Sequence, residues 1–389
     1  MKLLLLITLA VLASPHLSGQ NHPIGHRSMN FVDPGRNDRP VPSEIYYPAQ
    51  AAGNNTPVAD GKFPVIVFGH GFLMPYSAYS YLTNTLVPLG YSLVFTTTEG
   101  GLIPDHAEYG ADLAFLILRM KSEGADPSSP FYLHVDSTSA VMGHSMGGGA
   151  SFLACKNNTN PTVMVTLAAA ETNPSAIEAA TKVVIPNLVF AADEDCVTPP
   201  PQNQQPMYDS LASACKFYAN IKGGGHCYFA DYNITCSLGE IGCQQNFTIT
   251  REEQHDVTLD FSILFFDYFL KKNGSVLSIF IDSLGSSTRI SNEMKCTTTG
   301  VYSGFDRSAL KPCPNPVSDD LMICLPETAK TRGRIVIRSL TGIQIKTGSI
   351  DPAISGQVIR IDVSSLPSGF YFVEFSFNNK FFHCSFIKN

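Results

Sequence analysis

Short apolar runs alternate with amphipathic stretches over most of the chain, from about Pro23 to about Cys296. The apolar runs are brief and continuous, which is typical of parallel strands that are covered on both faces. The predicted strands are 65–68, 92–97, 139–142, 163–168, 187–191 and 217–221. Strands that alternate with helices predict a largely parallel sheet with helices on both faces, the α/β class.

Five stretches between and after these strands carry apolar residues at helical spacing. They are 79–89, 106–121, 146–156, 204–215 and 257–272. The last is predicted to be an amphipathic closing helix whose phenylalanine and leucine stripe lies in the core.

The pattern changes after Cys296, where Thr, Ser, Gly and Lys become frequent and several prolines interrupt regular structure. Residues 359–363 and 371–377 then alternate between apolar and polar with a period of two. The pair Asn378-Asn379 predicts a hairpin turn before a strand over 381–387. We therefore predict a linker over 298–311 and a small all-β sandwich domain over 312–389.

The first residues form a separate segment. Lys2 is followed by an apolar run over 3–12 that is too short to cross a bilayer, which is typical of an export signal. Residues 1–19 are therefore predicted to be a signal peptide, and 20–297 the α/β domain. No other segment is long and apolar enough to predict a transmembrane span.

Composition narrows the possible partners and the compartment. The net charge is −7 and no run of Lys or Arg occurs, which argues against nucleic acid or an anionic membrane as the main partner. Ten cysteines in an exported chain favour disulfides over metal sites, and their spacings lack the CxxC pattern of zinc sites. We expect several bridges and no metal.

The segment Gly143-His144-Ser145-Met146-Gly147 closes one predicted strand and opens a predicted helix. In such a nucleophile elbow the glycines allow a sharp, strained turn that exposes the serine hydroxyl. Ser145 is therefore the candidate nucleophile. It requires a base, an acid that orients the base, and donors for the oxyanion, but no cofactor.

The acid and base are expected after the serine, in that order. Asp195 lies in the loop after the strand 187–191, and it is favoured over Asp193 because it lies farther past the strand end. His226 follows a glycine run after the next strand and takes the third place in the order. His144, beside the nucleophile, is expected to pack or to form hydrogen bonds.

The oxyanion donors on such a fold are the backbone N–H after the nucleophile and one from the loop after an early strand. These would be Met146 and Phe72. The segment His70-Gly71-Phe72 directly follows the strand 65–68, and its glycine allows close approach of the backbone to a substrate carbonyl.

With these motifs the chain resembles the bacterial cutinase and polyester hydrolase family, which includes the poly(ethylene terephthalate) hydrolases. The resemblance covers roughly Pro23 to Cys296. It implies an α/β-hydrolase fold and a secreted carboxylic ester hydrolase that works through an acyl-enzyme, with aromatic polyesters as candidate substrates. Those hydrolases place a tryptophan beside the triad, whereas this chain has none and reads Ala-Ala-Glu-Thr-Asn-Pro over 169–174.

Other functions stay open on the same residues. A chlorophyllase-like or lipid acetyl-ester hydrolase shares the fold, and a dienelactone hydrolase would more typically carry Cys where Ser145 stands. A non-catalytic surface binding protein on a hydrolase scaffold is the alternative from a different class.

The C-terminal segments 314–319, 340–342 and 366–371 look like the sorting domain of the type IX secretion system. This resemblance implies a Bacteroidota-type Gram-negative host, the type IX machinery as a partner, and a secreted or cell-surface protein.

One disulfide is predicted individually. Cys196 adjoins Asp195 and Cys227 adjoins His226. We therefore predict a Cys196–Cys227 bridge that joins the acid loop to the base loop.

Overall fold

The computed structural model describes residues 21–243, 246–274, 276–296, 312–313, 316–324, 333–339, 344–350, 358–377 and 380–389. A ten-stranded sheet dominates it. Its strands are β1 (Ile24–Asp33), β2 (Arg39–Pro48), β3 (Gly53–Asn54), β4 (Phe63–Gly69), β5 (Ser92–Thr96), β6 (Val135–His144), β7 (Val163–Leu167), β8 (Asn187–Ala192), β9 (Cys215–Ile221) and β10 (Ile290–Cys296). The helices are α1 (Ser80–Leu86), α2 (His106–Ala125), α3 (Met146–Cys155), α4 (Ala176–Ala180), α5 (Gln204–Ser210), α6 (Ile234–Gly239), α7 (Arg251–Phe269) and α8 (Val276–Ser286).

The strand order is β10-β9-β8-β7-β6-β4-β5-β2-β1-β3. The six strands from β9 to β5 in this order are parallel, while β2 and β10 flank them in antiparallel pairing. The carboxyl ends of the parallel strands therefore meet along one edge of the sheet, where sites of such folds collect.

Helices cover both faces of the sheet, as the sequence predicts. Successive residues of β4 face opposite ways, so that Val65 and Val67 lie in one core while Ile66 and Phe68 lie in the other. Helices α1, α7 and α8 pack in the core that contains Phe68, and helices α2 to α5 pack in the opposite one. Burial on both faces explains why the central strands are continuous apolar runs.

All six predicted strands and all five predicted helices occur, with shifted ends. Helix α7 begins at Arg251, six residues before the predicted start, because Thr250 and Glu253 form a reciprocal capping box there. Helix α5 ends at Ser210 because Leu211 is extended, with φ −56° and ψ 125°. In the α/β part, the predictions omit strands β1, β2, β3 and β10 and helices α4, α6 and α8.

The C-terminal residues form two further sheets. One contains β11 (Pro312–Cys313), β12 (Asp320–Cys324) and β15 (Val358–Asp362), and the other β13 (Gly333–Ser339), β14 (Gln344–Ile350), β16 (Gly369–Phe377) and β17 (Lys380–Lys388). Side chains of both sheets share one core, including Ile323, Ile337 and Phe375. This confirms the predicted all-β C-terminal region.

Three predicted segments fall outside the described residues: the signal peptide over 1–19, the linker over 298–311 and the turn Asn378-Asn379. In the described part of the chain, none of the helices has both the length and the apolar character needed to cross a bilayer.

Candidate active site

Ser145 lies between the end of β6 and the start of α3, at the carboxyl edge of the sheet. Its backbone has φ 55° and ψ −119°, a strained conformation for a residue with a side chain. The flanking glycines make this turn possible. A Cβ on Gly147 would overlap the carbonyl oxygen of Gly69 on β4, and one on Gly143 would overlap the carbonyl oxygen of Gly147.

The structure brings the three predicted triad side chains together. His226 Nε2 lies 2.9 Å from Ser145 Oγ, and His226 Nδ1 lies 2.8 Å from Asp195 Oδ2. All three residues are buried, with relative exposures of 8% for Ser145, 3% for His226 and 4% for Asp195. This arrangement allows His226 to accept the serine proton at Nε2 while Asp195 holds the Nδ1 proton.

The carboxylate of Asp195 is held by the residues that follow it. Its Oδ1 accepts hydrogen bonds from the backbone N–H of Val197 at 2.9 Å and of Thr198 at 2.8 Å. Burial opposes ionisation, but the contact with His226 and the hydrogen bonds from Thr198 outweigh it and hold the pKa of Asp195 below its usual value. Asp193 instead accepts the N–H of Gly223 at 2.6 Å, so the acid loop has two carboxylates with different partners.

Two side chains of helix α7 hold the loop that carries His226, here called the base loop. Gln254 accepts the N–H of Gly225 at 3.0 Å and donates to the carbonyl of Gly225 at 2.9 Å. Arg251 donates to the backbone carbonyls of Cys227 and Ala230. The glycine before His226 is required here, because a Cβ on Gly225 would overlap the ring of Phe247.

The two predicted oxyanion donors follow the carboxyl ends of the paired strands β6 and β4. Met146 is the first residue of α3, so its N–H has no partner within the helix. Phe72 follows β4 in the loop opposite, and its side chain is 45% exposed. The preceding residue is closely packed, because a Cβ on Gly71 would lie 2.7 Å from Met74 Sδ and 3.3 Å from Tyr79 Oη.

Sequence reasoning missed two hydroxyls at this site. Thr198 Oγ1 lies 2.8 Å from Asp195 Oδ2 and 3.1 Å from His226 Nδ1. Tyr79 Oη lies 3.0 Å from His144 Nδ1 and 2.9 Å from the N–H of Gly71. Nothing in the local pattern around either residue identifies it, because each contact depends on how distant loops meet.

The predicted Cys196–Cys227 bridge is wrong. Cys196 pairs with Cys243, with Cα atoms 5.9 Å apart, and Cys227 pairs with Cys236, with Cα atoms 5.7 Å apart. The side chain of Cys196 faces the surface, whereas Cys227 lies in the core with a relative exposure of 1%. Adjacency to two triad residues in sequence therefore did not place the two sulfurs together. A third bridge joins Cys215 on β9 to Cys296 on β10.

Known proteins resemble both parts of the chain. Residues 42–250, more than half of the chain, match the family model described as PET hydrolase-like. Residues 313–389 match the model described as a secretion system C-terminal sorting domain.

Curated relatives share the first of these regions. A bis(hydroxyethyl) terephthalate hydrolase of Streptomyces coelicolor is 28% identical over 217 residues, which cover 54% of this chain and 64% of that protein. Cutinase est1 of Thermobifida alba is 26% identical over 187 residues, covering 47% of this chain and 56% of its own length. Cutinase 2 of Thermobifida cellulosilytica is 27% identical over 187 residues, which cover 47% of this chain and 64% of that protein. The chain thus spans less than two thirds of the length of these relatives.

Proposed function

This chain belongs to the PET hydrolase-like family and has the α/β-hydrolase fold, and we propose that it is an exported carboxylic ester hydrolase in which Ser145 forms an acyl-enzyme. The observation that carries the proposal is a pair of hydrogen bonds at His226: Nε2 is placed to accept from Ser145 Oγ at 2.9 Å, and Nδ1–H donates to Asp195 Oδ2 at 2.8 Å.

Acylation follows from this geometry. As Ser145 Oγ attacks the ester carbonyl carbon, its proton passes to His226 Nε2, and Asp195 stabilises the imidazolium through Nδ1–H. The backbone N–H groups of Phe72 and Met146 are the proposed donors to the carbonyl oxygen as it becomes an oxyanion. Collapse of the tetrahedral intermediate breaks the ester C–O bond, and His226 returns its proton to the leaving alkoxide oxygen.

Deacylation repeats these steps with water. His226 takes a proton from a water molecule as that water attacks the acyl carbon, and then gives it to Ser145 Oγ as the acid product leaves. No proton needs to reach Asp195, whose lowered pKa keeps it ionised throughout.

For the substrate we propose neutral esters with an apolar acyl group, including aromatic polyesters. Half-exposed Phe72 supports this, because it offers an aromatic surface beside its own proposed oxyanion N–H. Two relatives are named cutinases and one a bis(hydroxyethyl) terephthalate hydrolase, which points to the same class of ester. The chain has no tryptophan to hold an aromatic acyl group.

For the location we propose export through a type IX pathway to the cell surface or beyond. The support is the match of residues 313–389 to the C-terminal sorting domain, together with the predicted signal peptide.

The mechanism is tested with two matched aspartate variants and Ser145→Ala, assayed on p-nitrophenyl esters, bis(hydroxyethyl) terephthalate and polyester film. Ser145→Ala should lose activity by several orders of magnitude, and Asp195→Asn should lose about 10⁴-fold in kcat because His226 takes the wrong tautomer. Asp193→Asn keeps an oxygen for the Gly223 N–H and should stay near wild type. An active Ser145→Ala enzyme, or equal losses in the two aspartate variants, would contradict the mechanism.

A further inference from the structure

A chain of hydrogen bonds runs beneath the proposed active site from the oxyanion loop to the base loop. The N–H of Gly71 contacts Tyr79 Oη at 2.9 Å, Tyr79 Oη contacts His144 Nδ1 at 3.0 Å, and His144 Nε2 contacts the carbonyl oxygen of His226 at 3.1 Å. Resting on the proposed function, we propose that Tyr79 and His144 are positioning residues that set the oxyanion loop and the base in register with each other.

The direction of every bond in this chain is determined. A carbonyl oxygen can only accept, so His144 Nε2 carries a proton and donates it to His226. Desolvation by burial holds the pKa of His144 well below its usual value, so the ring is neutral at neutral pH; its one proton is on Nε2, and Nδ1 has none. Tyr79 therefore donates its hydroxyl proton to His144 Nδ1 and accepts from the Gly71 N–H.

The competing acceptor for the Tyr79 proton is weaker. Met74 Sδ lies 3.4 Å from Tyr79 Oη, but a thioether sulfur accepts hydrogen bonds poorly compared with an imidazole nitrogen. The hydrogen-bonded series consequently has one arrangement of protons. This gives a fixed geometry to both of its ends, the N–H of Gly71 and the carbonyl of His226.

The two central side chains are enclosed. Tyr79 and His144 both have a relative exposure of 0%, so water cannot replace either partner. The ring of His144 lies 5.8 Å from that of Tyr79 and 4.8 Å from that of His226, between centroids. Removing one hydroxyl therefore leaves a buried N–H on Gly71 and a buried nitrogen on His144 without their partner.

Both ends of this hydrogen-bonded series lie next to atoms that the mechanism uses. Gly71 directly precedes Phe72, whose N–H is a proposed oxyanion donor. Tyr79 accepts the N–H of Gly71, so it holds the peptide group immediately before the one that carries the Phe72 N–H. His226 is held at its own carbonyl by His144, while its ring contacts Ser145 and Asp195. A shift of either end changes the distance between the oxyanion donor and the base, which matters in the transition state more than in substrate binding.

The test is Tyr79→Phe, which removes only the hydroxyl. We expect kcat for a p-nitrophenyl ester to fall about 10-fold with KM unchanged, because only the transition-state geometry is disturbed. The rate is divided by the concentration of protein that a fluorophosphonate labels, so unfolded molecules do not count.

The matched control is Tyr47→Phe. Tyr47 is also fully buried and donates its hydroxyl to a backbone carbonyl, that of Thr56 at 2.7 Å, but it lies on β2. The Tyr47→Phe variant should be less stable than wild type but should keep the wild-type kcat per labelled site.

His144→Phe and the double variant Tyr79→Phe/His144→Phe complete the cycle. If the two residues act as one chain, the double variant should lose no more kcat than His144→Phe alone, instead of the product of the two losses. Wild-type kcat per labelled site in Tyr79→Phe, or multiplicative losses in the double variant, would overturn the inference. Failure of the proposed function is distinguishable, because wild-type protein would then neither hydrolyse the ester nor accept the label.

Discussion

At the scale of single residues, the hydroxyl of Thr198 lies where the acid and the base meet. Asp195 Oδ2 accepts from His226 Nδ1 at 2.8 Å and from Thr198 Oγ1 at 2.8 Å, so one carboxylate oxygen serves both donors. Gln204 Nε2 donates a hydrogen bond to the Thr198 hydroxyl oxygen at 3.1 Å and so helps to hold it in place. Thr198 is therefore placed to control how much negative charge faces the base.

Thr198→Val is nearly isosteric and removes this donor. The hydrogen bonds from Thr198 help to lower the pKa of Asp195, so losing the hydroxyl should raise that pKa and strengthen the pull of the carboxylate on the protonated imidazole. We expect an acid limb of the kcat/KM profile that lies at higher pH. Thr198→Ser keeps the hydroxyl and should restore the wild-type profile, whereas identical profiles for Thr198→Val and wild type would refute this role.

Sequence reasoning reaches the residues whose roles follow from chain order. Ser145, Asp195 and His226 could be proposed because each follows a predicted strand and parallel strands end at one edge. Thr198 and Tyr79 could not, since a threonine before a proline and a tyrosine before a helix have no distinguishing pattern. The cysteine pairing was wrong because sequence neighbours of the triad reveal nothing about side-chain direction.

At the scale of elements, the central parallel strands were predictable because burial on both faces leaves a continuous apolar signature. Strand β2 carries Pro40, Pro42 and Pro48, which argue against a strand in sequence even though it pairs along β1 and β5. Strand β10 lies at the sheet edge, and Ile290 is the one residue of it that is buried. Such strands are held by pairing with neighbours, which the local sequence does not encode.

Helix α7 offers a test of stability against pH. Burial raises the pKa of Asp260 to about 6, against the opposing attraction of Arg289 at 2.6 Å. The folded state therefore binds this proton more tightly than the unfolded state, and the contribution of Asp260 to stability should rise as pH falls from 7 towards 5. The gain from this group is about 1 kcal/mol over that interval.

Chemical denaturation at pH 7 and pH 5 measures this effect. Asp260→Asn should lack the gain, so that its stability relative to wild type is lower at pH 5 than at pH 7. Glu252→Gln, an exposed change on the same helix, should follow the wild-type trend. A constant difference between Asp260→Asn and wild type at the two pH values would exclude the effect.

At the scale of the whole molecule, disulfides hold the loops that carry the acid and the base. The bridge Cys196–Cys243 starts beside Asp195 and spans 47 residues, which include His226. The bridge Cys227–Cys236 closes a shorter loop that starts beside His226. Each bridge thus ties one of the two loops, that of Asp195 or that of His226, to the segment that follows His226. Neither of these bridges joins the two loops directly to each other.

Cys243→Ser should lower the free energy of unfolding by about 4 kcal/mol, the loop-closure entropy for a ring of this size. The double variant Cys196→Ser/Cys243→Ser should lose the same amount, because both changes remove one bridge. Calorimetry checks the stability, and non-reducing peptide mapping checks the pairing. A bridged Cys196–Cys227 peptide, or additive losses in the double variant, would contradict the observed connectivity.

The C-terminal sheets have their own core, and α8 packs against β17. The division into an α/β domain over 20–297, a linker over 298–311 and a sorting domain over 312–389 remains a prediction, since residues 297–311 are outside the described part of the chain.

The central claim is that Ser145 carries the acyl group during ester hydrolysis. The most direct measurement is peptide mass spectrometry of the full chain, quenched in acid within the first turnovers of a p-nitrophenyl ester. The account predicts one acylated peptide, containing Ser145, formed with a burst of nitrophenol and absent in Ser145→Ala. Turnover without an acylated Ser145 peptide, or acylation at another residue in active enzyme, would contradict it.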